Sequence, residues 1–250
     1  MKSKKIVVFD FDGVVCDSTD ECMVTSWNAW EIWEGRKAFR NSVNAFNNDE
    51  KLSFRRLRPY VRGAGEYYTL YRSLKESIKL NNQADFEKYA NEWHEHSLQF
   101  KDIFFNCRIQ LRSQDMVSWI KLHPVYNAVI EIMKQINQEN RLYIATLKDG
   151  ESVKLILEYY GISLNPNQLL DQSQIKSKKT ALDIIKQREN CPISSMLFFD
   201  DNLTHLVDPQ KAGYFVYLTN WGNTLVEFLE TASLYNVKVA SIVELKELVD

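Results

Sequence analysis

The stretch KKIVVFDFDGVVCDST, residues 4–19, begins as a buried strand and then ends in acidic residues. Residues 6–9 form an apolar run of the kind that a parallel sheet buries on both faces. Asp10 and Asp12 follow with one residue between them, and Gly13 comes next. Burying a carboxylate without a partner is costly, and two neighbouring carboxylates also repel each other. Acids at this place therefore need a cation.

Two later strand-like segments also end in polar residues. Thr146 follows the apolar run LYIA, and Asp200 with Asp201 closes the run LFF. If these strands neighbour the first, four carboxylates converge at one end of the sheet. Oxygen ligands without a nearby His or Cys favour a hard cation, so we predict Mg²⁺ as the cofactor. Gly13 would let the backbone turn sharply beside the ion.

The composition is that of a cytoplasmic globular protein. The chain has 250 residues, 45% hydrophobic and 26% charged, with a net charge of −2. We therefore expect no nucleic-acid or membrane partner. Its cysteines are scattered without a zinc-binding pattern and suit cytosolic thiols; they are Cys16, Cys22, Cys107 and Cys191. The apolar run after the basic start is too short for a signal peptide, and no run of 18 apolar residues follows.

From about Pro124 onward, strand-like and helix-like segments alternate. This alternation predicts an α/β fold with a doubly wound parallel sheet. Beyond the first strand, the predicted strands are 141–146, 196–201, 214–219 and 237–241, and the predicted helices are 124–140, 150–161, 180–188 and 242–250. In open α/β sheets the ligand crevice lies at the carboxyl ends of the strands, where the acids are predicted to be.

Residues 18–123 have a different character. They contain 17 of the 31 aromatic residues and show helical patterns only. Ser18 and Glu21 are spaced as a capping box for the first of these helices. The segment carries 16 Lys and Arg against 14 Asp and Glu, whereas the rest of the chain is acidic. We predict an α/β catalytic core, 1–17 and 124–250, with an inserted all-α cap domain, 18–123.

Four motifs occur in the order typical of one enzyme family. DFDGVVCDS, the Thr of IATLKDG, a Lys in KSKKTALDII, and FFDDN resemble the motifs of the haloacid dehalogenase superfamily. The chain is similar to its phosphatase-like members that carry a helical cap after the first motif. The resemblance covers the roughly 145 residues outside the insertion, and it implies a Rossmann-like core.

The resemblance also implies roles for the motif residues. Asp10 would be the nucleophile that forms an aspartyl-phosphate, and Asp12 the general acid and base. Thr146 would donate its hydroxyl to the transferring phosphoryl oxygens. Asp200 and Asp201 would hold Mg²⁺ together with Asp10 and the backbone carbonyl of Asp12.

The motif lysine has three candidates. Lys176, Lys178 and Lys179 all precede or open the helix TALDIIKQ, and we favour Lys178. Lys148, two residues after Thr146, is a candidate substrate-binding residue. DDNLTH resembles the variant of the last motif in which two adjacent aspartates, Asp200 and Asp201, bind the metal. We therefore expect no metal role for His205.

The cap stretch FRRLRPYVRGAGEYY, residues 54–68, combines arginines with two glycines. Glycines beside arginines suit a loop that approaches an anion closely. We name Arg58 and Arg62 as candidate substrate-binding residues. The alternative is a solvated basic helix face followed by a turn, and Pro59 disturbs the helical spacing of the two arginines.

These features together predict a Mg²⁺-dependent phosphomonoester hydrolase that acts on a small phosphorylated metabolite. A phosphomutase or phosphotransferase of the same superfamily is an alternative, because the same intermediate can be passed to another hydroxyl. A weakly catalytic pseudoenzyme with a protein-binding cap is a third. We expect a monomer or a homodimer.

Overall fold

A computed structural model describes residues 5–139 and 141–249 of the chain. Residues 1–4, 140 and 250 lie outside the described residues, and with them most of the basic start and the last residue of the predicted C-terminal helix. The chain divides into two compact units. The α/β unit contains the chain up to Asp17 and from Pro124 onward, and the helical unit is Ser18–His123.

The strands are short, and the helices range from five to 21 residues. The strands are β1 (Ile6–Phe9), β2 (Leu142–Ala145), β3 (Leu169–Leu170), β4 (Met196–Asp200), β5 (Phe215–Thr219) and β6 (Lys238–Ala240). The helices are α1 (Thr19–Trp33), α2 (Asn48–Leu57), α3 (Tyr67–Lys75), α4 (Gln83–Glu92), α5 (His94–Gln114), α6 (Met116–Ile120), α7 (Asn127–Gln138), α8 (Gly150–Tyr159), α9 (Lys178–Glu189), α10 (Leu203–Lys211), α11 (Val226–Thr231) and α12 (Ile242–Val249).

The α/β unit is built on one parallel sheet. Its strand order is β3-β2-β1-β4-β5-β6, and each neighbouring pair is parallel. The predicted α/β fold with a doubly wound parallel sheet is confirmed. The two-residue β3 and the six-residue α11 were not predicted, because runs this short carry little periodicity. The helix α10 was not predicted either, and Pro209 inside it is a residue that normally argues against a helix.

In this sheet β1 lies between β2 and β4. β1 pairs with β2 on one side and with β4 on the other, so the segments that follow these three strands meet at one edge. Aromatic stacking ties the central strands together: the Phe9 and Phe199 ring centroids are 5.4 Å apart, and those of Phe199 and Tyr217 are 5.1 Å apart. Such packing makes the sheet a rigid base for the groups at its edge.

The helical unit has an aromatic core. Trp30 of α1 stacks on Tyr71 of α3 and packs against Phe100 of α5. The predicted capping box of α1 is wrong, because the Ser18 side chain makes no capping hydrogen bond. The Glu21 carboxylate instead binds Arg108 of α5, with both N–O distances 2.8 Å. A buried, bidentate arginine is a stronger partner for a carboxylate than a local backbone amide.

Within the described part of the chain, we find no helix with the length and apolar character that a membrane crossing requires.

Candidate active site

Asp10 directly follows β1 and keeps the backbone direction of that strand. The Asp10 amide donates to the carbonyl of Phe199 on β4 at 2.9 Å, so its backbone still follows the sheet. The side chain is 7% exposed, and its Oδ1 accepts the Phe11 amide at 2.7 Å. The carboxylate of Asp10 is therefore held rigidly at the carboxyl end of the central strand.

Asp200 ends the neighbouring strand β4 and is fully buried. Its Oδ1 accepts the amide of Asn202 at 2.8 Å, and Nδ1 of His205 lies 3.2 Å from Oδ2. One carboxylate oxygen of Asp10, one of Asp200 and a ring nitrogen of His205 lie within 4.8 Å of one another. Two buried carboxylates thus face each other across adjacent strands.

One lysine joins these acids. The amine of Lys178, the first residue of α9, lies 2.6 Å from Oδ1 of Asp10 and 3.3 Å from Oδ2 of Asp200. It also donates to the carbonyl of Ala145, the last residue of β2, at 2.8 Å. Lys178 therefore links the ends of three strands.

The position of Lys178 follows from how α9 begins. Ser177 is its N-cap, with Oγ accepting the amide of Thr180 at 3.1 Å. This start turns Lys178 inward and leaves Lys179 outside, where it pairs with Asp183 at 2.6 Å. Lys176 is exposed. Of the three candidates, the structure brings Lys178 to the acids.

Burial and charge oppose each other in this cluster. Burial raises the pKa of Asp10 and the negative charge of Asp200 raises it further, while Lys178 acts in the other direction. Burial also disfavours ionised Asp200, but Lys178 and His205 outweigh it and hold the pKa of Asp200 below its ordinary value. Burial disfavours the ammonium form of Lys178 too, yet the two acids keep its pKa raised. The basic groups beside these two buried carboxylates are thus the amine that they share and the ring of His205.

A second lysine brings Asp12 and Thr146 together. The amine of Lys148 lies 3.1 Å from Oδ1 of Asp12, and its backbone amide donates to the Thr146 hydroxyl at 3.1 Å. The Lys148 side chain is fully buried, whereas that of Asp12 is 21% exposed. The predicted substrate-binding lysine therefore contacts the predicted general acid directly.

Asp201 is held by two glycine-containing loops. Gly13 has φ of +81°, and a Cβ there would lie 1.8 Å from Oδ2 of Asp201. A Cβ on Gly222, in the loop after β5, would lie 1.9 Å from the carbonyl oxygen of Gly13. The amide of Asn223 donates to Oδ2 of Asp201 at 3.1 Å. Only glycines allow this close approach.

Three residues of this arrangement were not predicted from the sequence. They are Gly222 and Asn223, which position Asp201, and Trp221, whose Nε1 donates to the carbonyl of Val14 at 3.0 Å. The signal was present in the tripeptide WGN, which begins two residues after the end of β5, because a glycine near a strand end can mark close backbone approach. His205 was expected to have no metal role, and the structure places it against Asp200.

The candidate arginines lie in the helical unit. Nη1 of Arg58 donates to the carbonyl of Val61 at 3.3 Å. Arg62 forms an ion pair with Glu87, and its backbone amide donates to Glu66 at 2.6 Å. The structure thus places both arginines in contacts within their own unit, and a substrate role for them stays a prediction.

The acidic cluster fits a divalent cation. Asp10 and Asp200 are buried with a single shared amine, Asp201 lies on the neighbouring turn, and their oxygens are the ligands that Mg²⁺ prefers. These three carboxylates outnumber the basic groups Lys178 and His205, so an added cation would balance negative charge and the residues present suit such an ion.

A family comparison identifies the class of protein to which this fold and cluster belong. The family model of haloacid dehalogenase-like hydrolases matches residues 4–207, well over half of the chain. The chain belongs to the haloacid dehalogenase-like hydrolase family, as its four motifs predict. No curated protein matches the chain.

Solved structures share the fold at low sequence identity. A predicted phosphoglycolate phosphatase from Haemophilus somnus 129PT has a TM-score of 0.65 and 16% identity, with 100% of both chains covered. A predicted phosphatase from Clostridium acetobutylicum has a TM-score of 0.57 and 13% identity, covering 98% of this chain and 97% of its own. A haloacid dehalogenase-like family hydrolase from Streptococcus pneumoniae has the same TM-score and identity, with 100% of both chains covered. At these identities the likeness shows the fold.

Proposed function

We propose that the protein is a Mg²⁺-dependent phosphomonoester hydrolase that forms an aspartyl-phosphate on Asp10. The observation that carries the proposal is the cluster in which Lys178 joins Asp10 to Asp200 at the ends of adjacent strands. A phosphoryl group carries negative charge, and a carboxylate nucleophile repels it unless cations are close. The cluster supplies one cation and a place for another. The phosphatase descriptions of the structural neighbours agree with this function.

Mg²⁺ would be held by Asp10, Asp200, Asp201 and the backbone carbonyl of Asp12. When bound, it would neutralise charge on the phosphoryl oxygens and on the nucleophile. His205 contacts Asp200 through Nδ1 and would orient that carboxylate toward the ion.

In the first step, Asp10 attacks phosphorus. Its Oδ1 is engaged by the Phe11 amide and Lys178, so Oδ2 is the oxygen available for attack. A bond forms between Oδ2 and phosphorus while the bond from phosphorus to the leaving oxygen breaks. Asp12, in its protonated form, gives its proton to that oxygen. Lys148 holds Asp12 in place through Oδ1.

In the second step, water hydrolyses the aspartyl-phosphate. Asp12, now ionised, takes a proton from the water as its oxygen attacks phosphorus, and the bond from phosphorus to Oδ2 of Asp10 breaks. The Thr146 hydroxyl accepts the Lys148 amide and can donate its own hydrogen to a phosphoryl oxygen. Lys178 balances the charge of both carboxylates during the two steps.

Phosphate release from a panel of small phosphorylated metabolites tests the proposal. The panel begins with phosphoglycolate, the compound in the description of one structural neighbour. We expect inorganic phosphate to appear with Mg²⁺ and not with EDTA, and Asp10→Asn to be inactive. Asp102→Asn is the matched control, because Asp102 is an exposed aspartate of the helical unit. Equal activity of Asp10→Asn and Asp102→Asn would overturn the proposal, and transfer to a second hydroxyl without phosphate release would identify a mutase.

A further inference from the structure

A carboxylate outside the acidic cluster joins two loops of the α/β unit. Asp171 directly follows β3 and is half-buried. Its Oδ2 accepts the backbone amide of Gly150, the first residue of α8, at 2.8 Å. Its Oδ1 accepts the amide of Ser173 at 2.9 Å and the hydroxyl of Ser173 at 2.5 Å. The two oxygens of one side chain thus bind the loop after β2 and the loop after β3.

The contact between these loops requires a glycine at position 150. A Cβ on Gly150 would lie 2.4 Å from Oδ2 of Asp171 and 3.2 Å from its carboxyl carbon. A Cβ cannot come so close to another heavy atom, so any larger residue would push the loops apart. Gly150 is therefore fitted to the carboxylate of Asp171.

The loop after β2 is fixed at both ends, with a site lysine between them. At one end the amide of Thr146 donates to the carbonyl of Leu170 on β3 at 2.9 Å. At the other end the amide of Gly150 donates to Asp171. Lys148 lies two residues from each of these contacts, and its amine is 3.1 Å from Oδ1 of Asp12. The contact with Asp171 therefore bears on where the Lys148 amine lies.

Asp171 is itself held in place by its own loop. Its carbonyl accepts the amides of Gln174 at 3.0 Å and Ile175 at 3.1 Å, which closes a tight turn. The side chain of Ile175 is buried in the apolar core of the unit. The carboxylate is thus presented to Gly150 from a fixed base, as a group that orients a catalytic residue needs to be.

We propose that Asp171 is a positioning residue for the reaction, and this inference rests on the proposed function. Asp171 holds the loop that carries Lys148, and Lys148 holds Asp12, the general acid of the proposed mechanism. A displacement of about 1 Å in a catalytic group can slow a reaction by up to about a hundredfold. Without the link to Gly150, Asp12 would lose its orientation and protonate the leaving oxygen more slowly.

Two aryl phosphates of similar shape test the proposal, phenyl phosphate and 4-nitrophenyl phosphate. Phenolate is a basic leaving group that gains from protonation, whereas nitrophenolate leaves readily as the anion. We expect Asp171→Ala to lower kcat/KM for phenyl phosphate by about tenfold, and for 4-nitrophenyl phosphate by less than about threefold. A general loss of stability would slow both substrates alike.

Further variants test whether the effect passes through the two contacts. Gly150→Ala should give the same selective loss, because its Cβ excludes the carboxylate. Asp171→Asn should retain most of the activity, since an amide oxygen can still accept the Gly150 amide. The double variant Asp171→Ala/Lys148→Met should be no slower than Lys148→Met alone, because both changes break one chain of contacts. This last comparison also uses the metabolite that the wild type hydrolyses fastest, so it does not depend on the two esters.

Asp183→Ala is the matched control. Asp183 is an aspartate of the same unit that accepts the Tyr214 hydroxyl at 2.7 Å and pairs with Lys179 at 2.6 Å. Thermal melts show that each variant is folded at the assay temperature, and Asp183→Ala should treat the two esters alike.

Equal slowing of both esters by Asp171→Ala would overturn the inference, as would losses that add up in the double variant. Either result in an active wild type leaves the proposed function standing. A wild type that releases phosphate from neither ester nor any metabolite of the panel would overturn the proposed function and this inference together.

Discussion

The two units of the chain each bury charged side chains, but they balance them differently. In the helical unit, Glu21 and Arg108 form a complete pair, and the Thr25 hydroxyl adds a hydrogen bond to the carboxylate at 2.6 Å. In the α/β unit, Asp10 and Asp200 share the single amine of Lys178. The first arrangement is closed and needs no further group. The second has Asp201 beside it and only Lys178 and His205 as basic groups, so its carboxylates are in excess, which is costly unless it serves binding or catalysis.

We therefore expect the buried charges of Glu21 and Arg108 to serve the fold, and those of Asp10 and Asp200 to serve the chemistry. Removing a group from the closed pair should damage the fold and leave the chemistry of the other unit unchanged. Removing an acid from the shared cluster should abolish the chemistry and spare the fold.

The largest effect is expected for Asp10→Asn. Activity should fall by more than about a thousandfold, since the amide cannot act as the nucleophile. Folding should not suffer, because the substitution removes a buried carboxylate that Asp200 repels. Phosphate release and a thermal melt measure the two effects, and residual activity above about a thousandth of wild type would contradict covalent catalysis at Asp10.

The same variant also gives a pH test in EDTA. Folding raises the pKa of Asp10 above 3.8, so the folded state binds more protons than the unfolded chain. Its destabilising contribution is absent below that range and grows as the pH rises toward the folded pKa. The stability gained by Asp10→Asn should therefore increase with pH in this window. A gain that shrinks as the pH rises would have the wrong sign.

The next largest effect should come from Arg108→Met in the helical unit. It leaves Glu21 buried without its partner, which costs about 3–5 kcal/mol. The double variant Glu21→Gln/Arg108→Met should recover much of this loss, because no unpaired charge remains. Tryptophan fluorescence during urea unfolding reports mainly on this unit, since five of the six tryptophans lie in residues 18–123. A double variant no more stable than the single one would mean that packing, and not charge, holds the pair.

Mg²⁺ should stabilise the wild-type protein by a smaller amount. A ligand at a hundred times its Kd adds about 2.7 kcal/mol to the free energy of unfolding. Asp200→Asn should remove most of the shift in Tm, while Asp102→Asn should keep it. A wild-type melt that is indifferent to millimolar Mg²⁺ would show that the acidic cluster does not bind the ion.

The smallest effect concerns the arginines of the helical unit. We predict that Arg58→Ala or Arg62→Ala raises KM for the true substrate about tenfold, or about 1.4 kcal/mol. Acetyl phosphate, which has little beyond its phosphoryl group, should be affected much less. Glu87→Gln is the control for Arg62, because it breaks the same ion pair. If Arg62→Ala and Glu87→Gln lower Tm alike and leave KM unchanged, Arg62 serves the fold.

The α/β unit was largely predictable because its signals are local. Apolar runs locate β1, β2, β4 and β5, and the polar residues that follow them are visible in the sequence itself. Parallel order then brings those residues to one edge. The choice among Lys176, Lys178 and Lys179 was harder, because it depends on where α9 begins. A helix that started one residue later would turn a different lysine inward.

The parts that could not be predicted depend on distant partners. Glu21 was read as a capping residue, and its real partner Arg108 lies 87 positions away. The need for a glycine at position 222 arises only because the loop after β5 packs against Gly13 in the folded chain. None of these contacts leaves a local pattern, so they require the folded chain.

The covalent intermediate provides the most direct test of the central claim that Asp10 carries the phosphoryl group. The enzyme is mixed with substrate and Mg²⁺, quenched in acid within the first turnover and reduced with borohydride, which converts an aspartyl-phosphate into homoserine. Peptide mass spectrometry then locates the modified residue. We expect homoserine at position 10 in the wild type and none in Asp10→Asn. Modification at another residue, or phosphate release in the wild type without any trapped intermediate, would show that Asp10 does not carry the phosphoryl group.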